Sequence, residues 1–242
     1  MKLNEQVVVI IGIGGVGEGI AKALAPEGST LILMDYSEKA LEKVSNEIEG
    51  NYQTMQVDAL NWKDMHDKMD AVAQRYGRID ACICTVGGTT LHILVDQYPE
   101  GKMEEIINFN FIPVYYAFHS AIPYMKKQHY GRLLCMDSTH GGGLGDGAYG
   151  VGKAGMMSMV QTIAVELAEY GITCNGILPG IVMSDLVRAN CALLPEGEKT
   201  MLQAAYPHVL FGFNAAENIA ECVKFFLSDV ASHITGESIQ FK

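Results

Sequence analysis

The stretch Val7-Val-Val-Ile-Ile11-Gly12-Ile13-Gly14-Gly15-Val16-Gly17-Glu18-Gly19-Ile20 decides how the rest of the chain reads. Its first five residues are an unbroken apolar, β-branched run, as expected of a strand covered on both faces. Gly12-x-Gly14-x-x-Gly17 follows directly and opens a segment of helical periodicity. Glycines in that place let backbone lie against a pyrophosphate, and the first turn of a helix turns free N–H groups toward an anion. A glycine-rich turn alone is a weak signal. A strand before it and a helix after it make it specific.

Outward from this stretch, β-rich runs at 6–11, 30–35, 52–58, 80–86, 132–137, 172–178 and 238–241 alternate with helical patterns at 15–25, 37–49, 62–76, 103–127, 148–170 and 215–228. Such alternation predicts an α/β fold: one Rossmann-type, doubly wound parallel sheet of about seven strands with helices on both faces. The strands lack clean period-two alternation, which again suits burial on both sides. No linker or repeat divides residues 1–242, so a single domain is expected. Pro113 should bend the helix at 103–127 and free the carbonyl of Phe109. Residues 183–212, with Pro195, Gly197 and Pro207, form a connection long enough to be a candidate substrate lid.

The bulk composition narrows the function classes. Forty-nine per cent hydrophobic residues over 242 positions describe a globular chain, and a net charge of −11 argues against a nucleic-acid surface. Apolar runs fall far short of a membrane span. The six cysteines sit mostly inside apolar runs, and Cys82-x-Cys84 suits neither the common zinc patterns nor a redox pair. The expectation is a reduced, cytoplasmic protein without a metal site and without nucleic-acid or membrane partners.

Two further signals carry chemistry. Asp35 closes the second strand, eighteen residues after Gly17, where a carboxylate can accept hydrogen bonds from the adenosine ribose hydroxyls. A 2′-phosphate would meet that charge, and Tyr36 and Ser37 offer no cation, so NAD is expected over NADP. The alternative for Asp35 is a simple helix cap, a part that Ser37 fills more naturally. Tyr149-Gly-Val-Gly-Lys153 places a phenol and an ammonium on one helix face, with Ser138 eleven residues upstream. Reduction of a ketone builds negative charge on its oxygen, which needs a donor and a proton source there. A free phenol has a pKa near 10. A nearby ammonium, with the positive oxidised nicotinamide, favours phenolate. Tyr149 then reads as the acid/base, Lys153 as its tuner and a ribose contact, and Ser138 as a hydrogen-bond partner of the substrate oxygen. Packing roles for the pair are the alternative. Two glycines inside the same helix, each costing about 1 kcal/mol, point instead to close approach of a ligand or backbone.

At these residues the chain resembles the short-chain dehydrogenase/reductase family over nearly its whole length. Gly12, Gly14, Gly15, Val16 and Gly17 resemble the family's phosphate loop and first helix. Asp58-Ala59 is similar to the pair that contacts adenine. Cys84-Thr85-Val86-Gly87 stands where the family has Asn-Asn-Ala-Gly, a departure that removes an amide from the central sheet. Asn108-Phe-Asn110 resembles the segment carrying a fourth catalytic residue, Asn110, which in the family holds a water leading from the lysine toward solvent. The block from Gly171 to Ser184, with Pro179, Gly180, Val182 and Ser184, resembles the nicotinamide cradle, and Ile234-Thr-Gly236-Glu the last turn before the final strand. The resemblance implies catalytic Asn110, Ser138, Tyr149 and Lys153, with Tyr149 and Lys153 also touching the cofactor. The Ser-to-Tyr separation is slightly shorter than usual, so Thr139 stands beside Ser138 as an alternative.

The expected activity is NAD(H)-dependent interconversion of a secondary alcohol and a ketone. Thr89, Thr90 and His92 should rim the cleft, and the glycine-rich segment with His140 should leave it open. Met183, Leu186, Val187, Leu193, Leu194, Met201 and Phe211 suggest an apolar lid and a bulky or cyclic substrate, unless they are ordinary core or a subunit contact. A non-catalytic NAD(H)-binding regulatory or scaffold protein is the competing reading. A carbon–carbon double-bond reductase is disfavoured by the Tyr–Lys spacing. The family commonly forms homotetramers or homodimers through the helices bearing Asn110 and Tyr149. Met156, Met157, Met159, Val160, Ile163 and Phe118 supply apolar material there.

Overall fold

Strand β1 (Val7–Ile11) is an interior strand of a sheet whose seven strands all run parallel, so its five residues are buried from end to end. Its companions are β2 (Thr30–Asp35), β3 (Tyr52–Gln56), β4 (Ala81–Cys84), β5 (Gly131–Met136), β6 (Ile172–Leu178) and β7 (Ser238–Gln240), in the order β3-β2-β1-β4-β5-β6-β7. The computed structural model describes residues 1–88, 93–138, 145–205 and 209–242, without the side chains of residues 185, 186, 190, 204 and 205. The helices are α1 (Gly15–Leu24), α2 (Glu38–Ser45), α3 (Trp62–Tyr76), α4 (Lys102–Gln128), α5 (Gly147–Leu167), α6 (Asp185–Ala192), α7 (Glu198–Ala205) and α8 (Ala216–Leu227).

Successive strand residues feed opposite cores. Val8, Ile10, Leu31, Leu33 and Ile83 pack with Ile20 of α1, Leu41 of α2 and Val223 of α8. Val7, Val9, Ile11, Cys82 and Cys135 pack with Met65 of α3, Phe118 of α4 and Val160 of α5. This is why the central strands read as continuous apolar runs. The edge strand β3 behaves differently: its residues alternate between exposed and partly covered, so the expectation of no alternation fails there. The strand order reverses between β1 and β4, and ligands of open parallel sheets bind beyond the carboxyl ends at such a point.

Residues 183–212 carry α6 and α7, each eight residues long, with Pro195 and Gly197 between them. Helix α4 runs through Pro113 and Pro123 as one 27-residue element. One sequence expectation needs correction. Most of the apolar surplus assigned to a subunit contact is the chain's own core: Phe118, Met156 and Val160 are fully buried and Ile163 nearly so. The exposed apolar side chains of α4 and α5 are instead Phe109, Tyr115, Val151, Met157 and Val165.

Candidate active site

The glycine loop shows a division of labour. Gly12 has φ +90, and a Cβ there would lie 2.7 Å from Thr85 Oγ1. A Cβ on Gly17 would run into the Gly12 carbonyl, so this glycine lets α1 sit close on the loop. Gly14, the N-cap of α1, has nothing within 4 Å of its Cβ position. Two glycines are thus demanded by the protein's own packing, and the middle one faces open space at a helix N-terminus, as a bound phosphate group needs. Gly15 lies under Ser184, whose Cβ would be 2.9 Å from an added methyl. This contact brings the loop after β6 over the start of α1.

Asp35 is tied to the same loop. Its Oδ2 accepts from Ile13 N at 2.6 Å and its Oδ1 from Ser37 N at 2.8 Å. Each carboxylate oxygen still has a second lone pair for a ribose hydroxyl. Ser37, not Asp35, caps α2, accepting from Ala40 N. Tyr36 beside it is 74% exposed. Asp58 Oδ1 accepts from Leu60 N and turns the chain toward α3, while Ala59 packs partly against the core. Thr85 answers for the missing amide: its hydroxyl donates to Gly12 O at 2.6 Å and fastens the end of β4 to the loop.

The second half assembles around Gly87. With φ +139, a Cβ there would stand 2.8 Å from Asn110 Oδ1 and 3.0 Å from Lys153 Nζ, so the three residues share one small space. Asn110 is fully buried. Its Oδ1 accepts from Gly88 N at 2.8 Å, and its Nδ2 donates to Gly88 O at 3.1 Å and Ile106 O at 2.9 Å. Asn110 therefore pins the loop after β4 to α4. Gly152 explains one glycine inside α5: a Cβ would lie 3.0 Å from that of Asn110 and 3.3 Å from Ile107 O. The close approach is helix to helix. Lys153 is 5% exposed, and its Nζ donates to Met136 O at 2.7 Å. The Tyr149 and Ser138 hydroxyls are hydrogen-bonded to each other.

The electrostatics depart from the sequence expectation. Burial pushes the Tyr149 phenol up, the carboxylates of Asp137 and Asp146 add to the rise, and the Ser138 hydrogen bond opposes it. Lys153, 5.7 Å from the Tyr149 ring centroid, is itself pushed down by burial, against the pull of Cys135, Asp137 and Cys84. The protein's own groups thus hold Tyr149 as a phenol rather than lowering it.

Beyond β6, Gly180 makes room for Asn214, whose Nδ2 would be 2.8 Å from an added Cβ. Val182 bridges to Asn214 and Met183 N donates to Asn214 O. Pro179, Gly180, Val182 and Ser184 are therefore held beside the phosphate loop by a residue the sequence did not single out. Asp137 is the other omission: an acidic residue directly after the apolar run Leu133–Met136 was the available signal. On the candidate lid, Leu193 is 84% and Phe211 89% exposed, so neither is ordinary core. Thr89, Thr90, His92, Thr139 and His140 lie outside the described residues, as does the side chain of Leu186.

Residues 12–241 match the profile of the family described as Enoyl-(Acyl carrier protein) reductase. The chain is 31% identical to the 3-oxoacyl-(acyl-carrier-protein) reductase FabG of Thermotoga maritima, covering 99% of this chain and 97% of that one. It is 27% identical to the uncharacterized oxidoreductase YxjF of Bacillus subtilis, over 98% of this chain and 96% of that one. Among solved structures it is similar to NAD+-bound xylitol dehydrogenase (TM-score 0.89, 25% identity, 99% and 98% of the two chains). Levodione reductase is comparable (TM-score 0.88, 25% identity, 97% and 95%). The chain belongs to the short-chain dehydrogenase/reductase family. It is an oxidoreductase of the kind that uses a nicotinamide cofactor. Among the described residues no helix is long and apolar enough to cross a membrane, and none group as a metal site.

Proposed function

We propose that this chain interconverts a secondary alcohol and a ketone with NAD(H), using Tyr149 as the acid/base. The observation that carries the reading is the hydrogen-bonded Ser138–Tyr149 hydroxyl pair next to a buried Lys153. Two hydroxyls meeting at one point suit an oxygen that gains negative charge. When bound, the nicotinamide supplies or takes up the hydride. Gly12, Gly14, Gly15, Val16 and Gly17 would hold its pyrophosphate, Asp35 and Tyr36 its adenosine ribose, and Asp58 and Ala59 its adenine. Gly87, Pro179, Gly180, Val182, Ser184 and Lys153 would hold the nicotinamide end. Ser138 orients the substrate oxygen, and the Tyr149 hydroxyl gives it a proton in reduction and takes one back in oxidation. Lys153 keeps positive charge beside that exchange, and Asn110 keeps the loop at Gly87 and Gly88 in place.

The choice of NAD rests on the Asp35 carboxylate, which would repel a 2′-phosphate, and the NAD+-bound xylitol dehydrogenase neighbour supports it. The exposed Leu193, Leu194 and Phe211 of the candidate lid support a bulky, apolar substrate. The family profile's enoyl description favours double-bond reduction as a second reading. The FabG relative's 3-oxoacyl name and the paired hydroxyls favour the carbonyl. A cytoplasmic homodimer or homotetramer pairing α4 and α5 completes the proposal, with Phe109, Tyr115 and Met157 at the contact. Sedimentation of only a monomer-sized species would contradict that assembly. The functional test is a screen of steroid, aromatic, polyol and acyl alcohols with both cofactors. NAD should exceed NADP at least tenfold in kcat/KM, about 1.4 kcal/mol. Equal use of both would overturn the cofactor assignment, and turnover of enoyl substrates alone would overturn the carbonyl reading.

A further inference from the structure

Asp137 sits between the two contacts that define the catalytic centre. The residue before it, Met136, accepts the Lys153 ammonium through its carbonyl, and the residue after it, Ser138, bonds Tyr149. Its backbone N–H donates to Ile177 O at 2.8 Å, which fixes its place between β5 and β6. Its Oδ1 accepts from Ser138 N at 2.8 Å. Its Oδ2 is buried with no hydrogen-bond partner among the described residues, and the whole residue is only 4% exposed. A buried carboxylate oxygen left without a donor is unfavourable by itself. The reaction outlined above makes no use of it.

We propose that Asp137 is a positioning residue of this site: one oxygen fixes the Ser138 backbone, and the other sets a negative charge beside Tyr149 and Lys153 that biases the centre toward carbonyl reduction. This rests on the reading of Tyr149 as the acid/base. Reduction needs Tyr149 as the phenol and oxidation needs it as the phenolate. A neighbouring anion opposes the phenolate and favours the Lys153 ammonium. The groups facing this point are Tyr149 and Lys153 on α5, Asp146 at the start of α5, Cys135 on β5 and Cys84 on β4. Asp146 acts on Tyr149 in the same direction as Asp137, and the two thiols are buried and pushed up to about 12. Burial raises the Asp137 carboxyl itself to about 6, so it carries its charge at neutral pH.

The experiment is the pH dependence of kcat/KM in both directions for Asp137→Asn, with Tyr149→Phe measured alongside. Asparagine keeps an acceptor for Ser138 N and the packing but loses the charge. The alkaline limb of reduction and the acid limb of oxidation should both move down by about one pH unit. A residue of purely structural importance would lower rates without moving either limb. Unmoved limbs with normal folding would overturn the proposal while Tyr149→Phe still abolishes turnover. If Tyr149→Phe keeps turnover, it is the acid/base reading that fails. Should Asp137→Asn not fold, Asp137→Ser serves the same comparison. Infrared difference spectra of the parent against Asp137→Asn give an independent check: an ionised carboxylate should be lost at neutral pH, and loss of a protonated carboxyl there instead would overturn the proposal.

Discussion

Asp80 and Asp137 are both buried aspartates on the same parallel sheet, one just before β4 and the other just after β5, and so at opposite ends. Asp80 is saturated. Its Oδ2 accepts from Val7 N at 2.8 Å, and the Arg78 guanidinium reaches both oxygens, with Nη2 at 2.6 Å from Oδ1. Asp137 has one backbone N–H and an oxygen without a donor. The sheet's amino end spends its carboxylate on holding strands together. The carboxyl end keeps one in an unfavourable state beside Tyr149 and Lys153. Loss of the first should weaken the fold, and loss of the second should strengthen it while changing the chemistry.

The larger effect belongs to Asp80. Asp80→Ala strips the partner from buried Val7 N and from Arg78, which should cost about 3–4 kcal/mol in denaturant unfolding. A loss under 1 kcal/mol would show that the two ends do not differ as described. Asp137→Asn should move stability the other way. Its folded pKa, about 6, lies above the ordinary 3.8, so the carboxyl's contribution is full below about pH 4 and is lost as pH rises through about 6. The variant escapes that loss and should be more stable than the parent by about 2–3 kcal/mol at pH 7, with the gap closing toward pH 4. A gap independent of pH would remove the charge from the explanation.

Much of this fold was legible because burial on both faces writes an unmistakable pattern. β2 spans 30–35, β6 spans 172–178 and α3 spans 62–76, the bounds the sequence pattern predicts. The glycine loop was legible for a related reason, since its spacing records backbone contacts that no side chain permits. The same logic failed where contacts are made by side chains from distant segments. Met156 and Phe118 read as surplus because periodicity cannot tell how much of a helix the sheet and neighbouring helices cover. Short α6 and α7, parted by Pro195 and Gly197, leave too few turns for a periodic signal. Asp137 and Asn214 matter through where their side chains end up, which spacing does not encode. Thr85 was read as a lost amide, whereas its hydroxyl restores the tie to Gly12.

The central claim is that Tyr149 donates the proton while a separate set of residues holds the cofactor. Tyr149→Phe removes one oxygen from a partly buried ring and leaves the glycine loop and Asp35 untouched. NADH binding by fluorescence should stay within a few-fold of the parent, while kcat on the best substrate of the screen falls by at least about 10²–10⁴. Near-full turnover in Tyr149→Phe would contradict the account.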